Sequence, residues 1–186
     1  MQATERELWL LNFYRNSELH GALLMGKLAR SFTDSALLVN LTKHCATEAH
    51  HAALLSEAIA ALAARLDPHT GTIQDRYAAA GGVPKELADL LVLSETLEKR
   101  VLKSYRAHLQ RKDVHPIAHE TLAKILREME EEDDGEHEGW IDEALRKLPP
   151  ERVQAAETRW RAIDERVAAE LEQLVSAQFP KEAVCT

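Results

Sequence analysis

The chain has little of what interrupts helices and little of what builds sheets. Its 186 residues hold 7 Gly, 6 Pro and 5% aromatics, too few for an architecture of many short strands joined by tight turns. The cysteines, Cys45 and Cys185, stand alone without a CxxC spacing. That excludes a zinc ribbon and a disulfide framework, and Cys45 reads as a small core residue within a helix. No run of 18 apolar residues occurs, and the first residues lack the apolar stretch of a signal peptide. A cytoplasmic protein with no membrane partner is therefore expected. Lys+Arg number 23 against 31 Asp+Glu, a formal net charge of -8. Without a concentrated basic face, no nucleic-acid partner is expected.

What the chain does have is abundant Ala, Leu, Glu and Arg, which favour helix. The reading is all-α, one domain over residues 1–186. Five long helices are predicted. The first spans about residues 4–30, with Thr4 and Glu7 spaced as a capping box. Asp34 or Thr33 caps a second, which runs to about residue 66 and is stopped by Asp67-Pro68. A long connection follows over residues 67–83, enough to run along a bundle at about 3.3 Å per extended residue. Pro84 opens a third helix to about residue 112, and Pro116 a fourth to about residue 148. Pro149-Pro150 then precedes a fifth over about residues 151–178. Short joins make helices one and two, and three and four, antiparallel hairpins. No close repeat is visible, although the hairpins are compatible with pseudo-symmetry.

Two short words carry chemistry. Glu48-Ala-His50-His51 and Asp134-Gly-Glu136-His137 each place a carboxylate three residues before a histidine. On a helix, residues i and i+3 share a face, so one oxygen and one nitrogen donor can meet at a single metal ion. A ligand in a bundle core also needs apolar neighbours at offsets of 4, 7 and 11. Glu18 has Leu11, Tyr14, Ala22, Met25 and Ala29 there, and an acid buried in such a stripe is costly unless something pairs with it. In the third helix Glu98 has Leu91, Ser94, Leu102, Tyr105 and Leu109, a cleaner stripe than that of Glu95. Glu95 is left as an outer or switching ligand. His51 is followed by Leu55, Ala58 and Leu62, and Glu48 is flanked by Leu41, Ala52 and Leu55. His44 also points inward, as a core residue or a neighbour of the ligands.

The fourth helix is less clean. Asp134 has the i, i+3 spacing to His137, but it lies in the acidic run from Glu128 to Glu138, where Glu130 or Glu131 could reach in from a turn away. A solvated face is the plain alternative for such a run, and Trp140, by bringing an apolar body to the same face, argues against it. Tyr14 and Tyr105 are expected in the core with hydroxyls near the carboxylates. His20, His50, His69, His108, His115 and His119 read as ordinary surface or loop histidines. On the fifth helix Val153, Trp160, Ile163, Val167, Leu171 and Leu174 form one stripe. It serves either packing across the bundle or a homodimer seam.

Over about residues 4–148 this pattern resembles the ferritin-like di-iron carboxylate superfamily, which includes rubrerythrins, bacterioferritins and di-iron oxygenases. There, four successive helices supply Glu, Glu-x-x-His, Glu and Glu-x-x-His. The resemblance implies a ferritin-like four-helix bundle, two antiparallel hairpins joined by one long crossover, with an added C-terminal helix over residues 150–178. It implies Glu18, Glu48, His51, Glu98, Asp134 and His137 as metal ligands, with Asp where the family has Glu at position 134. The cofactors implied are two Fe ions, with Mn an alternative at one or both positions. Such oxygen and imidazole donors suit Fe or Mn better than Cu(I), and the imidazoles bind metal only when neutral. The implied function is an oxidoreductase activating dioxygen or peroxide, with an external electron donor and a small-molecule substrate. The rubrerythrin type usually carries a four-cysteine iron domain, and this chain has no such cysteines. A ferroxidase and a non-enzymatic metal-binding interaction module are the alternatives.

Overall fold

A computed structural model describes residues 2–134 and 140–180, with the backbone alone for Leu28 and residues 132–134. Among the described residues all regular structure is helical: α1 (Glu5–Ala29), α2 (Ser35–Ala61), α3 (Ile73–Gly81), α4 (Leu87–Leu109), α5 (Pro116–Asp134), α6 (Trp140–Arg146) and α7 (Pro150–Gln178). None of these helices is long and apolar enough to cross a membrane. The chain divides into two compact units. The first comprises Met1–Gln74 and Leu102–Trp140, the second Asp75–Val101 and Ile141–Thr186.

In the first unit, α1 and α2 form the expected antiparallel hairpin. Arg15 Nε donates to Ser56 Oγ at 3.1 Å, and near the other end Gly26 lies beside Cys45. Asp34 caps α2 by accepting the Leu37 amide at 2.7 Å. Thr4 Oγ1 accepts the Glu7 amide at 3.1 Å, the first half of the capping box. The Glu7 carboxylate turns inward instead of returning to the cap. It is 1% exposed and accepts the His115 amide at 2.9 Å.

The second helix ends at Ala61 rather than near residue 66. Ala63 takes a left-handed φ of 52°, and Ala64 N returns to Ile59 O at 3.1 Å, closing the helix by the backbone route that glycine usually serves. The chain beyond is held on α1 by a polar stripe. Asn12 Oδ1 accepts the Asp67 amide at 2.7 Å. Asn16 Nδ2 donates to the carbonyls of Asp67 and Thr70, both at 2.8 Å, and Ser17 Oγ accepts the Ile73 amide at 3.0 Å. These buried side chains satisfy loop backbone that would otherwise be stranded. The long connection thus has structure of its own, and its second half winds into α3.

The second unit is built on Trp160 of α7, which is fully buried. Its Nε1 donates to Asp89 Oδ1 at 2.9 Å. The tight approach of its ring to Gly81 leaves no room for a side chain there: an added Cβ would lie 2.9 Å from Cζ3. Arg100 Nε donates to Asp164 at 2.9 Å, and the Tyr77 hydroxyl bonds the same carboxylate. Trp160, Ile163 and Val167 of the predicted α7 stripe are buried, so that part of the stripe is core.

Candidate metal centre

The α1–α2 hairpin carries the first three predicted ligands and brings two of them, Glu18 and His51, into contact. Glu18 is 4% exposed and His51 2%. Both sit on the stripes read from the sequence, with Leu11, Tyr14 and Met25 buried on α1 and Leu41, Leu55 and Ala58 buried on α2. His51 Nδ1 stands 3.5 Å from Glu18 Oε2. The other Glu18 oxygen accepts the Tyr105 hydroxyl at 2.5 Å. Glu48, half-buried, lies one helical turn from His51, and its Oε1 is 3.4 Å from His44 Nε2. Across the hairpin it reaches Gly21, where an added Cβ would overlap Glu48 Oε2 and lie 3.0 Å from Cδ. Only glycine leaves that carboxylate its place.

These groups share one electrostatic neighbourhood. Burial, then the Glu18 charge and the hydrogen bond to it, and then the Glu48 charge, hold the Tyr105 hydroxyl well above its usual pKa. Burial lowers the pKa of His44 against the opposing pull of Glu18. That direction favours the neutral ring, the form that binds a metal or accepts a hydrogen bond. The ring of Trp140 lies 6.3 Å from that of His44.

The other predicted positions fare differently. Glu98 belongs to the second unit, half-buried, seven residues before Tyr105 on α4. Glu95 pairs with Lys99. The Asp134 side chain and the whole of His137 lie outside the described residues. Glu130 pairs with Arg106 at 2.6 Å, and Glu131 is exposed. Among the described side chains of α5, Glu128 approaches the Glu18–His51 pair, with its Oε2 3.5 Å from His51 Nε2 and 3.4 Å from His50 Nε2. Its signal in the sequence was its place three residues after Ile125 on the buried stripe of Ala118, Leu122 and Ile125, obscured by the acidic run that it opens.

His108 is also not the surface histidine expected. It is 3% exposed, with Nε2 3.6 Å from Glu7 Oε1 and its ring 5.8 Å from that of Tyr14.

Among the described residues, no group of three or more His, Cys, Asp and Glu side chains is close enough to hold a metal ion. The donors stand in pairs. Two donors each about 2.1 Å from one ion are about 3.0–3.4 Å apart, depending on the angle between them. The Glu18–His51 separation of 3.5 Å lies just beyond that range. The chain matches none of the protein families, curated proteins and solved structures with which it was compared.

Proposed function

We propose that the chain is a cytoplasmic oxidoreductase of the ferritin-like di-iron carboxylate type, with Mn as an alternative metal, that activates dioxygen or peroxide. The observation that carries this reading is the buried Glu18–His51 pair with Glu48 and His44 on the same hairpin. Carboxylates and a histidine are rarely gathered in an apolar core without a function that uses them. Glu18, Glu48 and His51 would hold the metal, and the sequence pattern adds Glu98, Asp134 and His137. When bound, two such ions supply electrons to dioxygen or peroxide.

The chain's own residues prepare that role. Tyr105 holds one oxygen of Glu18 and so orients the other toward His51. Gly21 leaves the space into which Glu48 extends. Leu11, Leu41 and Leu55, on the same helical stripes, are fully buried, and an apolar surrounding strengthens electrostatic contacts. Re-reduction falls to an external donor, because neither cysteine lies in an iron-binding spacing.

The test is anaerobic loading with Fe(II), followed by rapid mixing with dioxygen or hydrogen peroxide. The loaded protein should consume the oxidant faster than free iron, because bound ions react without a chance encounter, and Glu48→Ala should abolish the gain. Equal rates for protein and free iron, with metal bound, would point to the non-enzymatic binding module. Fast oxidation of iron with no reaction on any added organic substrate would point to the ferroxidase.

A further inference from the structure

A second buried cluster of ionisable groups lies apart from the candidate centre, where the last turn of α4 and the connection over residues 110–115 meet the start of α1. Glu7 and His108 are both almost fully buried there. Glu7 Oε1 accepts the His115 amide at 2.9 Å. Its approach to His108 Nε2, at 3.6 Å, is too long for a hydrogen bond. Neither ring nitrogen of His108, nor Glu7 Oε2, has a hydrogen-bond partner among the described residues. Any attraction between ring and carboxylate is then one of charge, which a proton on Glu7 cancels. The other charged groups nearby are mostly cations. Arg111 acts on Glu7 from the connection, Arg6 precedes it on α1, and both also act on the Tyr14 hydroxyl. The acid of the connection, Asp113, is half exposed and taken up by Arg111 through contacts of 3.1 and 2.8 Å. The His115 ring accepts the Ile117 amide through Nδ1 at 3.2 Å.

We propose that Glu7 is an acid-released clasp: its charged carboxylate holds residues 110–115, and with them the start of α5, on α1, and a proton on it lets that connection open while the α1–α2 hairpin stays folded. Glu7 is the buried anion of a cationic cluster. Its protonation leaves Arg6, Arg111 and, in acid, the imidazole of His108 without that counter-charge in a poorly solvated place, which is costly. A neutral carboxyl is also the weaker acceptor for the His115 amide. The hairpin and the loop laid on it are held differently, by Ser56, Asn12, Asn16 and Ser17, whose hydrogen bonds do not titrate. Burial pulls the Glu7 carboxyl up in pKa, but its neighbours outweigh that pull and the net direction is down. The clasp is therefore closed above the ordinary glutamate value of about 4.3 and opens below it. No bound metal takes part.

The experiment is hydrogen–deuterium exchange on the full chain, corrected for the intrinsic pH dependence of exchange. Wild type and Glu7→Gln are compared at about pH 6 and about pH 3.5, on either side of the ordinary glutamate range. In wild type, acid should speed exchange over residues 110–115 about tenfold, the effect of weakening a charged contact, with residues 35–61 of α2 unchanged. Glu7→Gln should show the faster exchange already at the higher pH and little further change in acid. Equal protection of residues 110–115 at both pH values in wild type would overturn the proposal. So would loss of protection in α2 in step with the connection, which is general unfolding, or a Glu7→Gln variant that responds to acid as wild type does. The His115 amide resonance of wild type gives a second readout that needs no variant. It should move in a single titration with its midpoint below about 4.3, and an amide that does not move on acidification would equally overturn the clasp.

Discussion

Tyr105 and Glu18 are joined by a hydrogen bond of 2.5 Å between a phenol and a carboxylate, both buried. The bond ties α4 to α1 at the point where the first predicted ligand sits. It also answers a question posed by the sequence, how an acid survives in the Leu11–Tyr14–Met25 stripe: the carboxylate has a hydroxyl on one oxygen and an imidazole beside the other. Tyr105→Phe removes the donor and little else. A hydrogen bond to a charged group contributes about 1.5–3 kcal/mol, and urea unfolding of the metal-free variant should show a loss of that order. A loss within error would mean that the bond contributes nothing to holding Glu18.

Gly21 offers a substitution in which stability and binding should separate. Alanine in mid-helix is favoured over glycine by about 0.5–1 kcal/mol, but the added methyl would occupy the place of Glu48 Oε2. That carboxylate is the mobile end of a half-buried side chain, so it can swing aside at small cost. Gly21→Ala should therefore melt no lower than wild type while binding Fe(II) or Mn(II) more weakly. Wild-type affinity in this variant would show that Glu48 does not need its present position.

Much of this arrangement was legible in the sequence, for identifiable reasons. Helix starts were readable where a side chain caps them, as at Thr4 and Asp34. Glu18 and His51 were readable as inward because long apolar stripes outvote single residues, as their burial shows. Less legible was anything decided by tertiary contact. The path of the chain beyond α2 depends on Asn12 and Asn16, which reach from α1 to carbonyls and an amide more than 50 residues away. The nine residues of α3 were hidden in a glycine-containing connection, where only Ile73 and Tyr77 mark a buried face. Glu7 resembled a cap and His108 an ordinary surface histidine; nothing in their spacing shows that they meet. The same holds for Glu128 and His51.

The Glu7–His108 contact makes a pH-dependent prediction. Burial pulls the Glu7 carboxyl upward in pKa. The adjacent His108 ring, the His115 amide and the charges of His108 and Arg111 together outweigh that pull, so the net shift is downward. A depressed carboxyl contributes stability that is fully present above the unfolded pKa of about 4.3 and lost as pH falls through the folded value. Glu7→Gln cannot titrate. The stability advantage of wild type over Glu7→Gln, measured by urea unfolding, should hold near pH 6 and shrink as pH drops below about 4.3. An advantage that stays constant or grows on acidification would contradict the assignment.

The account stands or falls on whether this core takes up metal. The direct measurement is Fe(II) or Mn(II) bound per chain, by anaerobic equilibrium loading and elemental analysis, with melting followed on the same samples. Two equivalents per chain are predicted, lowered by His51→Ala. Melting should rise with free metal, because a ligand at 100 times its Kd stabilises the native state by about 2.7 kcal/mol. A folded wild-type chain with metal content near zero, and a melting temperature indifferent to added Fe(II) or Mn(II), would contradict it. Glu18, Tyr105, His51 and Glu128 would then be a polar cluster that supports packing and nothing more.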